Sequence, residues 1–345
     1  MPTPRLIPEF APQSGVMITW PHADSDWRDS LDDIEPVYLE ITSAISRHEC
    51  VLVICYDNKH VRHVYNLLEQ GGATIRAIRC IAVPTNDTWI RDYGPLSVSG
   101  NSMPQLLDFT FDGWGGKHEA TWDNQTSRAL YDAGMFNGSK LTRQSLVLEG
   151  GSIETDGFGT LLTTTRCLLQ SGRNPGMDKD ALEACLHDYL GIERTLWLDH
   201  GLLRGDDTDG HVDMLARFCA PAVIAYLQCT NTDDEHYDAL AAMELQLHDF
   251  ISHDGNPYAL HPLPMPQPVY SDNGERLPAS YANFLIINHA VLVPVYNDPA
   301  DKQALSVIQG CFPDCEILAL NCLPLLQQYG GLHCATMQLP AGVLL

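Results

Sequence analysis

The stretch VLEGGSIETDGFGTLLTTT, residues 147–165, contains in order a polar cluster, a turn signal and a strand. Asp156–Gly157 is a dipeptide typical of tight turns between antiparallel strands. The TLLTTT that follows has the β-branched composition of a half-buried or buried strand. Glu149 lies at the beginning, before two glycines that allow close backbone approach. The stretch therefore predicts a carboxylate held beside a β-hairpin.

The same order of cluster, turn and strand recurs in four other places. These are TNDTWIRDYGPLSVSG (85–100), DTDGHVDMLARFCAPAVIAYL (207–227), SYANFLIINHAVLVPVY (280–296) and GGLHCATMQLP (330–340). Successive polar residues are 57, 62, 72 and 51 positions apart, the markers being Asp92, Glu149, His211, Asn283 and Cys334. Five similar units would bring five motifs to a shared centre. Spacing alone, however, favours an ordinary mixed sheet whose loops look alike.

The segments between these clusters alternate between helical and extended patterns. Helical periodicity is found at 35–48, 59–70, 178–190, 235–250 and 300–312. Strands are predicted at VLVICY, RAIRCIAV, TLLTTT, AVIAYL, FLIIN and AVLVPVY. The alternation predicts an α/β fold. The proline-rich stretch 261–280 predicts a long loop that could act as a lid, since proline disrupts helices and central strands.

Composition narrows the class of protein. The chain has 345 residues, 45% of them apolar, and a formal net charge of −24, which disfavours nucleic acid and anionic membranes and favours a cationic small molecule. There is no apolar run long enough for a transmembrane helix and no secretory signal, so we expect a cytoplasmic protein. The eleven cysteines include no C-x-x-C pair, which argues against a disulfide framework and a zinc ribbon. Cys311 and Cys315 lack further metal-ligand partners in the sequence.

Several side chains suggest covalent chemistry. In GHVD, His211 and Asp213 are two residues apart, so that on a strand both would point to one face. A thiol, an imidazole and carboxylates together suggest nucleophilic catalysis on a cation. Singly, each motif is more typical of a turn or a buried core residue. The acidic stretch DDTDGHVD, 206–213, also raises a metal site, although it lacks the oxygen spacing of a calcium loop.

Seven motifs, taken together and in order, resemble a known family. They are NDTWIRDYGP, FDGWGGK, LEGGSIETDGFGTLLTT, GDDTDGHVDMLARF, PASYANFLI, VPVYNDPAD and GGLHC. They are similar to the agmatine deiminases and the Porphyromonas-type, or bacterial-type, peptidyl-arginine deiminases. The resemblance extends from SGVMITWPHADSDW near residue 15 to the last strand. It implies a single catalytic domain, 1–345, with the five-bladed ββαβ propeller (pentein) fold of guanidine-modifying enzymes, in place of the ordinary mixed sheet.

The resemblance also implies roles for individual residues. Cys334 matches the nucleophile, His211 the general acid and base, and Glu149 the carboxylate beside it. Asp92 and Asp213 match the pair that binds the guanidinium group, with Trp89 at the same substrate site. The family chemistry passes through a covalent S-alkylthiouronium intermediate. It requires no metal and no organic cofactor.

The guanidine itself is less well defined by the sequence. The acidic composition favours agmatine, which would give N-carbamoylputrescine; peptidyl-arginine, free arginine, an amidinotransferase of the same fold and a catalytically silent binding protein are the alternatives. Free arginine would need a basic clamp, for which Arg91, Arg166, Arg173 and Arg217 lie near the motifs. Two departures from the family pattern affect the pocket rim: Asn288–His289 replaces a glycine-containing turn, and YGGLHC lacks a third glycine. The family resemblance further suggests a homodimer.

Overall fold

Residues 4–344 are described by the structure, which is a computed structural model. Within them the strands form five sheets that share one order, plus one short pair. In each of the five sheets two strands are antiparallel, and a third strand pairs in parallel with the second after a helical connection. The strands are β1 (Gln13–Thr19), β2 (Cys50–Cys55), β3 (Ile78–Ala82), β4 (Leu96–Val98), β5 (Gln105–Thr110), β6 (Leu141–Val147), β7 (Ile153–Thr155), β8 (Thr160–Thr164), β9 (Arg194–Leu198), β10 (Ala216–Ala220), β11 (Val223–Gln228), β12 (Ala259–Pro264), β13 (Val269–Tyr270), β14 (Arg276–Leu277), β15 (Leu285–Ile287), β16 (Ala290–Val295), β17 (Glu316–Asn321) and β18 (Thr336–Pro340).

Four of the sheets use consecutive strands: β4–β5–β6, β7–β8–β9, β10–β11–β12 and β15–β16–β17. The fifth joins the two ends of the chain in the order β18–β1–β2–β3. The ordinary mixed sheet that motif spacing alone favours is therefore wrong. The fold is α/β, as the alternation of patterns predicts.

Most of the helices lie between the second and third strands of these units. The helices are α1 (Leu31–Ile45), α2 (Asn58–Gln70), α3 (Ile90–Tyr93), α4 (Gly113–Gly116), α5 (Asp123–Asp132), α6 (Thr165–Leu168), α7 (Lys179–Leu190), α8 (Tyr237–Asp249), α9 (Asp301–Cys311) and α10 (Leu323–Leu326). Of these, α2 connects β2 to β3, and α3 and α10 lie between one sheet and the next. Helix α7 shows how local sequence sets an end, because the Asp178 carboxylate accepts from Ala181 N at 3.0 Å and Gly191 ends the helix at φ +65°. No helix among residues 4–344 is long and apolar enough to cross a membrane.

The five predicted helices and six predicted strands are all present, with ends that differ by a few residues. Strand β2, CVLVIC, is almost entirely buried, since it lies between two parallel neighbours and is flanked by helices. The Asp156–Gly157 turn is confirmed: the Asp156 side chain accepts from Phe158 N at 2.7 Å and Thr160 N at 2.9 Å.

The proline-rich stretch 261–280 is only partly a loop, which corrects the sequence prediction. Its first residues belong to β12, and β13 and β14 form a short hairpin within it. Strand β12 tolerates Pro262 and Pro264 because it lies at the edge of its sheet, where a missing N–H leaves no inner ladder bond unmade.

Short helical segments, rather than the strands, carry most of the polar motifs. Helix α3 packs against the 3₁₀ turn Gly150–Ser152, which in turn packs against the 3₁₀ turn Val212–Met214. These segments precede strands β4, β7 and β10 respectively. Residues from different sheets are thereby brought to one place.

Candidate active site

A cavity of about 170 Å³ lies where these segments meet. Of the six residues predicted for the site, five line it: Trp89, Asp92, His211, Asp213 and Cys334. The sixth, Glu149, is fully buried behind His211, with its Oε2 3.7 Å from the imidazole Nε2. The structure thus brings all six predicted residues together, and their catalytic roles stay predictions.

The loop that carries the thiol depends on two glycines. A Cβ atom on Gly330 would lie 2.4 Å from the Trp89 ring, and one on Gly331 would lie 2.3 Å from Asn283 Oδ1. Both contacts are too short for any side chain, so only glycine allows this approach. The carbonyl of Cys334 accepts from Arg91 N at 3.2 Å, which ties the loop to helix α3.

The Cys334 thiol is buried among polar groups. Asn283 Nδ2 lies 3.3 Å from Sγ and Asp213 Oδ2 lies 3.7 Å from it. Burial, together with the charges of Asp213 and Asp92, raises the pKa of the Cys334 thiol well above its ordinary value. The thiol is therefore neutral at pH 7 until a cation enters the cavity.

His211 lies between two carboxylates without bonding to either. Its Nδ1 is 3.6 Å from Asp92 Oδ1, and neither ring nitrogen has a hydrogen-bond partner among the described residues. Burial lowers the pKa of His211, but the charge of Asp92 and the neighbouring Cys167 and Glu149 outweigh it and raise the pKa well above the ordinary value. GHVD does not form a strand: His211 caps a 3₁₀ turn that contains Asp213, and both side chains line the cavity.

Glu149 is fixed by an arginine. Arg173 Nε donates to both Glu149 oxygens, at 2.7 and 2.9 Å, and Arg173 Nη1 reaches Asp209 at 2.7 Å. Burial raises the pKa of Glu149, yet His211 and Arg173 hold it below its ordinary value. Glu149 is thus an anion of fixed orientation behind the imidazole.

Asp92 is oriented by two donors from other parts of the chain. Trp114 Nε1 donates to Oδ2 at 2.9 Å and Gly151 N donates to Oδ1 at 3.0 Å. Burial raises the pKa of Asp92, and the nearby anions Asp213 and Glu149 add to this while His211 opposes it. Neutralisation of this group by a bound cation is therefore favourable.

Asp213 is held by a second histidine. His333 Nδ1 lies 2.8 Å from Asp213 Oδ2, while His333 Nε2 lies 2.6 Å from Glu9 Oε2. Glu9 also pairs with Arg217 at 2.9 Å and Arg91 at 3.3 Å. Although burial opposes it, these cations hold the pKa of Glu9 far below its ordinary value. His333 likewise keeps the pKa of Asp213 low against the effect of burial.

The sequence did not assign several of these residues. The sequence motifs contain Asn283, His333 and Trp114 but predict no role for them, and Glu9 lies outside the motifs. Arg173 was named only as a clamp for substrate, whereas the structure pairs it with Glu149. For His333, its place beside the thiol in GGLHC was the one available signal.

One group of described residues has the geometry to hold a metal ion: ligand atoms of Glu149, Cys167 and His211 lie within 4.8 Å of one another. Both oxygens of Glu149 are already engaged by Arg173, which makes it a poor ligand. In the acidic stretch 206–213, Asp209 is likewise paired with Lys117, at 3.0 Å. These anions balance the protein's own cations.

The cavity is built to bind a cation. The side chains that line it include Asp26, Asp87, Asp92, Asp206, Asp207 and Asp213, and none of the described lining residues is lysine or arginine. Burial raises the pKa of Asp87 to about 6. A guanidinium group meets both a nucleophile and fixed carboxylates here.

Comparison with known proteins identifies the family. The sequence profile of the Porphyromonas-type peptidyl-arginine deiminases matches residues 5–340. The chain belongs to that family. An agmatine deiminase from Pseudomonas putida is 32% identical, over 97% of this chain and 95% of the relative. The resemblance seen in the seven motifs is confirmed.

Solved structures of this deiminase family superimpose over nearly the whole chain. One from Porphyromonas gingivalis, provisionally named an arginine deiminase, is 47% identical with a TM-score of 0.94, and the match covers 99% of this chain and 100% of the other. A cysteine-to-serine variant of agmatine deiminase from C. jejuni, with substrate bound, is 33% identical with a TM-score of 0.91, covering 99% and 97%.

Proposed function

We propose that the protein hydrolyses agmatine to N-carbamoylputrescine and ammonia, using Cys334 as the nucleophile. The observation that carries the proposal is a buried thiol set among carboxylates in a cavity whose described lining contains six aspartates and no lysine or arginine. The agmatine deiminases that match over nearly the whole chain support the same reaction.

Substrate binding activates the thiol. The guanidinium group forms charge-assisted hydrogen bonds with Asp92 and Asp213 and neutralises the charges that raise the pKa of Cys334. As the cation binds, the Cys334 thiol loses its proton to solvent, and the thiolate attacks the guanidinium carbon, a poor electrophile because its charge is delocalised. Asn283, which contacts both Sγ and Asp213, keeps the sulfur beside the carboxylate.

His211 moves the protons. As an imidazolium, it gives a proton to the departing nitrogen of the tetrahedral adduct, so that the C–N bond breaks, ammonia leaves and the S-alkylthiouronium intermediate forms. Neutral His211 then takes a proton from water, which adds to the same carbon. Cleavage of the C–S bond releases the ureido product and regenerates the thiol. Glu149 stabilises the imidazolium form throughout.

Agmatine fits this site better than free arginine. The α-carboxylate of arginine would enter an acidic cavity whose described lining offers no lysine or arginine to pair with it. Of the arginines near the motifs, Arg91, Arg173 and Arg217 are buried and paired with carboxylates, and Arg166 does not line the cavity. An unpaired buried charge is unfavourable, so we expect a preference for agmatine of about a hundredfold or more.

Peptidyl-arginine hydrolysis is the second candidate. It is favoured by the family to which the chain belongs and by a 39% identical structure provisionally named a peptidyl-arginine deiminase. A peptide carries no free α-carboxylate, so the acidic cavity does not exclude it as it excludes arginine. An amidinotransferase would instead transfer the amidino group to an amine and release no ammonia.

The five sheets support a wider proposal about architecture. Their common order and the joining of β18 to β1 fit five blades around the cavity, that is, a propeller forming one catalytic domain. A homodimer, a cytoplasmic location and a lack of nucleic-acid binding remain predictions.

Ammonia release with agmatine, arginine and an arginyl peptide, each with and without chelator, tests the function. We expect agmatine to have the highest kcat/KM and chelation to leave it unchanged. A higher value for arginine or peptide would overturn the substrate assignment. Consumption of agmatine without ammonia, given an acceptor amine, would instead favour amidino transfer.

A further inference from the structure

Tyr329 adopts a backbone conformation that is unfavourable for its residue type. Its φ is +63°, in the left-handed region where a Cβ atom is crowded. The other non-glycine residues there are Trp114, Asp209, His289 and Asn297. Trp114 and Tyr329 line the cavity, and Asp209 pairs with the arginine behind it. Such strain commonly persists where a functional site requires it.

The backbone constraint at Tyr329 differs from the constraint at the neighbouring glycines. Side chains on Gly330 and Gly331 would collide with Trp89 and Asn283, so those positions require glycine for space. At Tyr329 there is room for a side chain but the backbone favours glycine. A large aromatic ring is nevertheless placed there, at the edge of the cavity.

Tyr329 and its neighbour Gln328 each contact another part of the chain beside the cavity. The Tyr329 hydroxyl donates to Glu275 Oε2 at 3.2 Å, in the turn between β13 and β14 of the proline-rich stretch. Gln328 Nε2 donates to the carbonyl of Asp26 at 3.0 Å. Tyr329 remains 37% exposed. It therefore faces any part of a substrate that extends beyond the guanidinium group.

We propose that Tyr329 is a specificity-determining residue that narrows the cavity mouth and favours slender guanidines ending in a cation over arginine within a peptide. The ring offers an apolar face to an alkyl chain and a π-face to an ammonium group. Asp26 and Asp206, which also line the cavity, add negative charge that favours binding of that cation. A peptide backbone on both sides of the α-carbon would meet the ring instead. This proposal rests on the guanidine deiminase function proposed above.

Three substitutions separate the ring, the hydroxyl and the backbone. Tyr329→Asn removes the ring, and asparagine tolerates a positive φ well; Tyr329→Gly relaxes the backbone fully; Tyr329→Phe keeps the ring and loses the bond to Glu275. Tyr270→Asn is the matched control. Tyr270 is an exposed tyrosine of the β13–β14 hairpin, which also carries Glu275, and it does not line the cavity.

The measurement is kcat/KM for agmatine and for a blocked arginyl peptide, with urea unfolding of each variant. For Tyr329→Asn and Tyr329→Gly we expect agmatine kcat/KM to fall about tenfold, mainly through KM, and the peptide-to-agmatine ratio to rise about tenfold. Their unfolding midpoints should equal or exceed that of the wild type. Tyr329→Phe and Tyr270→Asn should keep the wild-type ratio.

The outcomes distinguish this proposal from the function on which it rests. An unchanged ratio in Tyr329→Asn and Tyr329→Gly, with the wild type active on agmatine, would overturn the role of Tyr329 alone. A wild type that prefers the peptide would overturn both the agmatine assignment and the narrowing role. No turnover of either guanidine by the wild type would overturn the deiminase function and the role together.

Discussion

His211 and His333 are both buried and both lie between two carboxylates, but their hydrogen bonding is opposite. His333 has a carboxylate oxygen at 2.8 Å from one ring nitrogen and at 2.6 Å from the other. The carboxylates next to His211 lie at 3.6 and 3.7 Å, and within residues 4–344 neither of its nitrogens has a partner at hydrogen-bond distance. His333 is saturated and His211 is not.

The difference separates a structural imidazole from a reactive one. A ring with both nitrogens bonded is fixed in position and has no lone pair or proton for a substrate. The charge of Asp92, together with the neighbouring Cys167 and Glu149, raises the pKa of His211 and favours the imidazolium, although the two carboxylates lie 3.6 and 3.7 Å from its nitrogens. Mere proximity to carboxylates would not distinguish the two rings; the distances do.

The largest expected effect comes from exchanging the two histidines separately for glutamine. His211→Gln removes the general acid and base, so kcat should fall on the order of 10²–10⁴-fold with little loss of stability. His333→Gln should lower kcat only about tenfold, through a less well-oriented Asp213, but should destabilise the fold, because two buried carboxylates lose their shared donor. Steady-state ammonia release and urea unfolding of both variants measure this. Loss of activity in His333→Gln but not in His211→Gln would contradict the roles assigned to the two histidines.

Asp92 and Asp213, the two carboxylates proposed to bind the guanidinium group, give a second test of the difference between the two histidines. Asp92→Asn and Asp213→Asn should each lower kcat/KM by an amount equivalent to about 2–5 kcal/mol, since each leaves the guanidinium group without one charged partner. Because Asp213 belongs to the His333 pair, only Asp213→Asn should also reduce the free energy of unfolding appreciably. Near-native kinetics for either variant would assign that residue a structural role.

The smallest effect is expected for Glu9, the second carboxylate bonded to His333, and it concerns the free energy of unfolding. Glu9→Gln should lower the free energy of unfolding by about 2–4 kcal/mol at neutral pH, because Arg91, Arg217 and His333 lose a buried anion. The pKa of Glu9 in the folded protein is depressed from its ordinary 4.5, so its contribution is complete above pH 4.5 and is lost as the pH falls below that value.

Urea unfolding between pH 3 and pH 7 tests the window. The difference between wild type and Glu9→Gln should shrink below about pH 4.5. Glu69→Gln, an exchange at an exposed position of α2, is the control and should show little difference at any pH. A Glu9→Gln deficit that stays constant across the range would mean that Glu9 acts through packing and not through its charge.

The sequence predicted the cavity-lining residues better than their support. Cys334, His211 and Asp92 stand in local motifs with distinctive residue types, and local motifs survive in the sequence. Glu9 and His333 are 324 positions apart, and their contact arises only because β18 pairs with β1. The charge network that fixes Asp213 could therefore not be found from spacing.

Conformation was also less predictable than residue identity. Their two-residue spacing would place the side chains of His211 and Asp213 on one face of a strand. In the structure a 3₁₀ turn brings the same two side chains to the cavity. The helices and strands with clear apolar periods were predicted correctly. Short strands such as β4 and β7, with three residues each, carry too little pattern to be recognised from the sequence.

The central claim is that His211 serves a covalent reaction at Cys334, and two thiols make this directly testable. Cys167 is also buried within 4.8 Å of His211. Peptide mass spectrometry of enzyme quenched during agmatine turnover should find a mass gain of agmatine less ammonia on Cys334. The adduct should persist in Cys167→Ala and be absent from Cys334→Ala. An adduct on Cys167, or ammonia release by Cys334→Ala, would contradict the account.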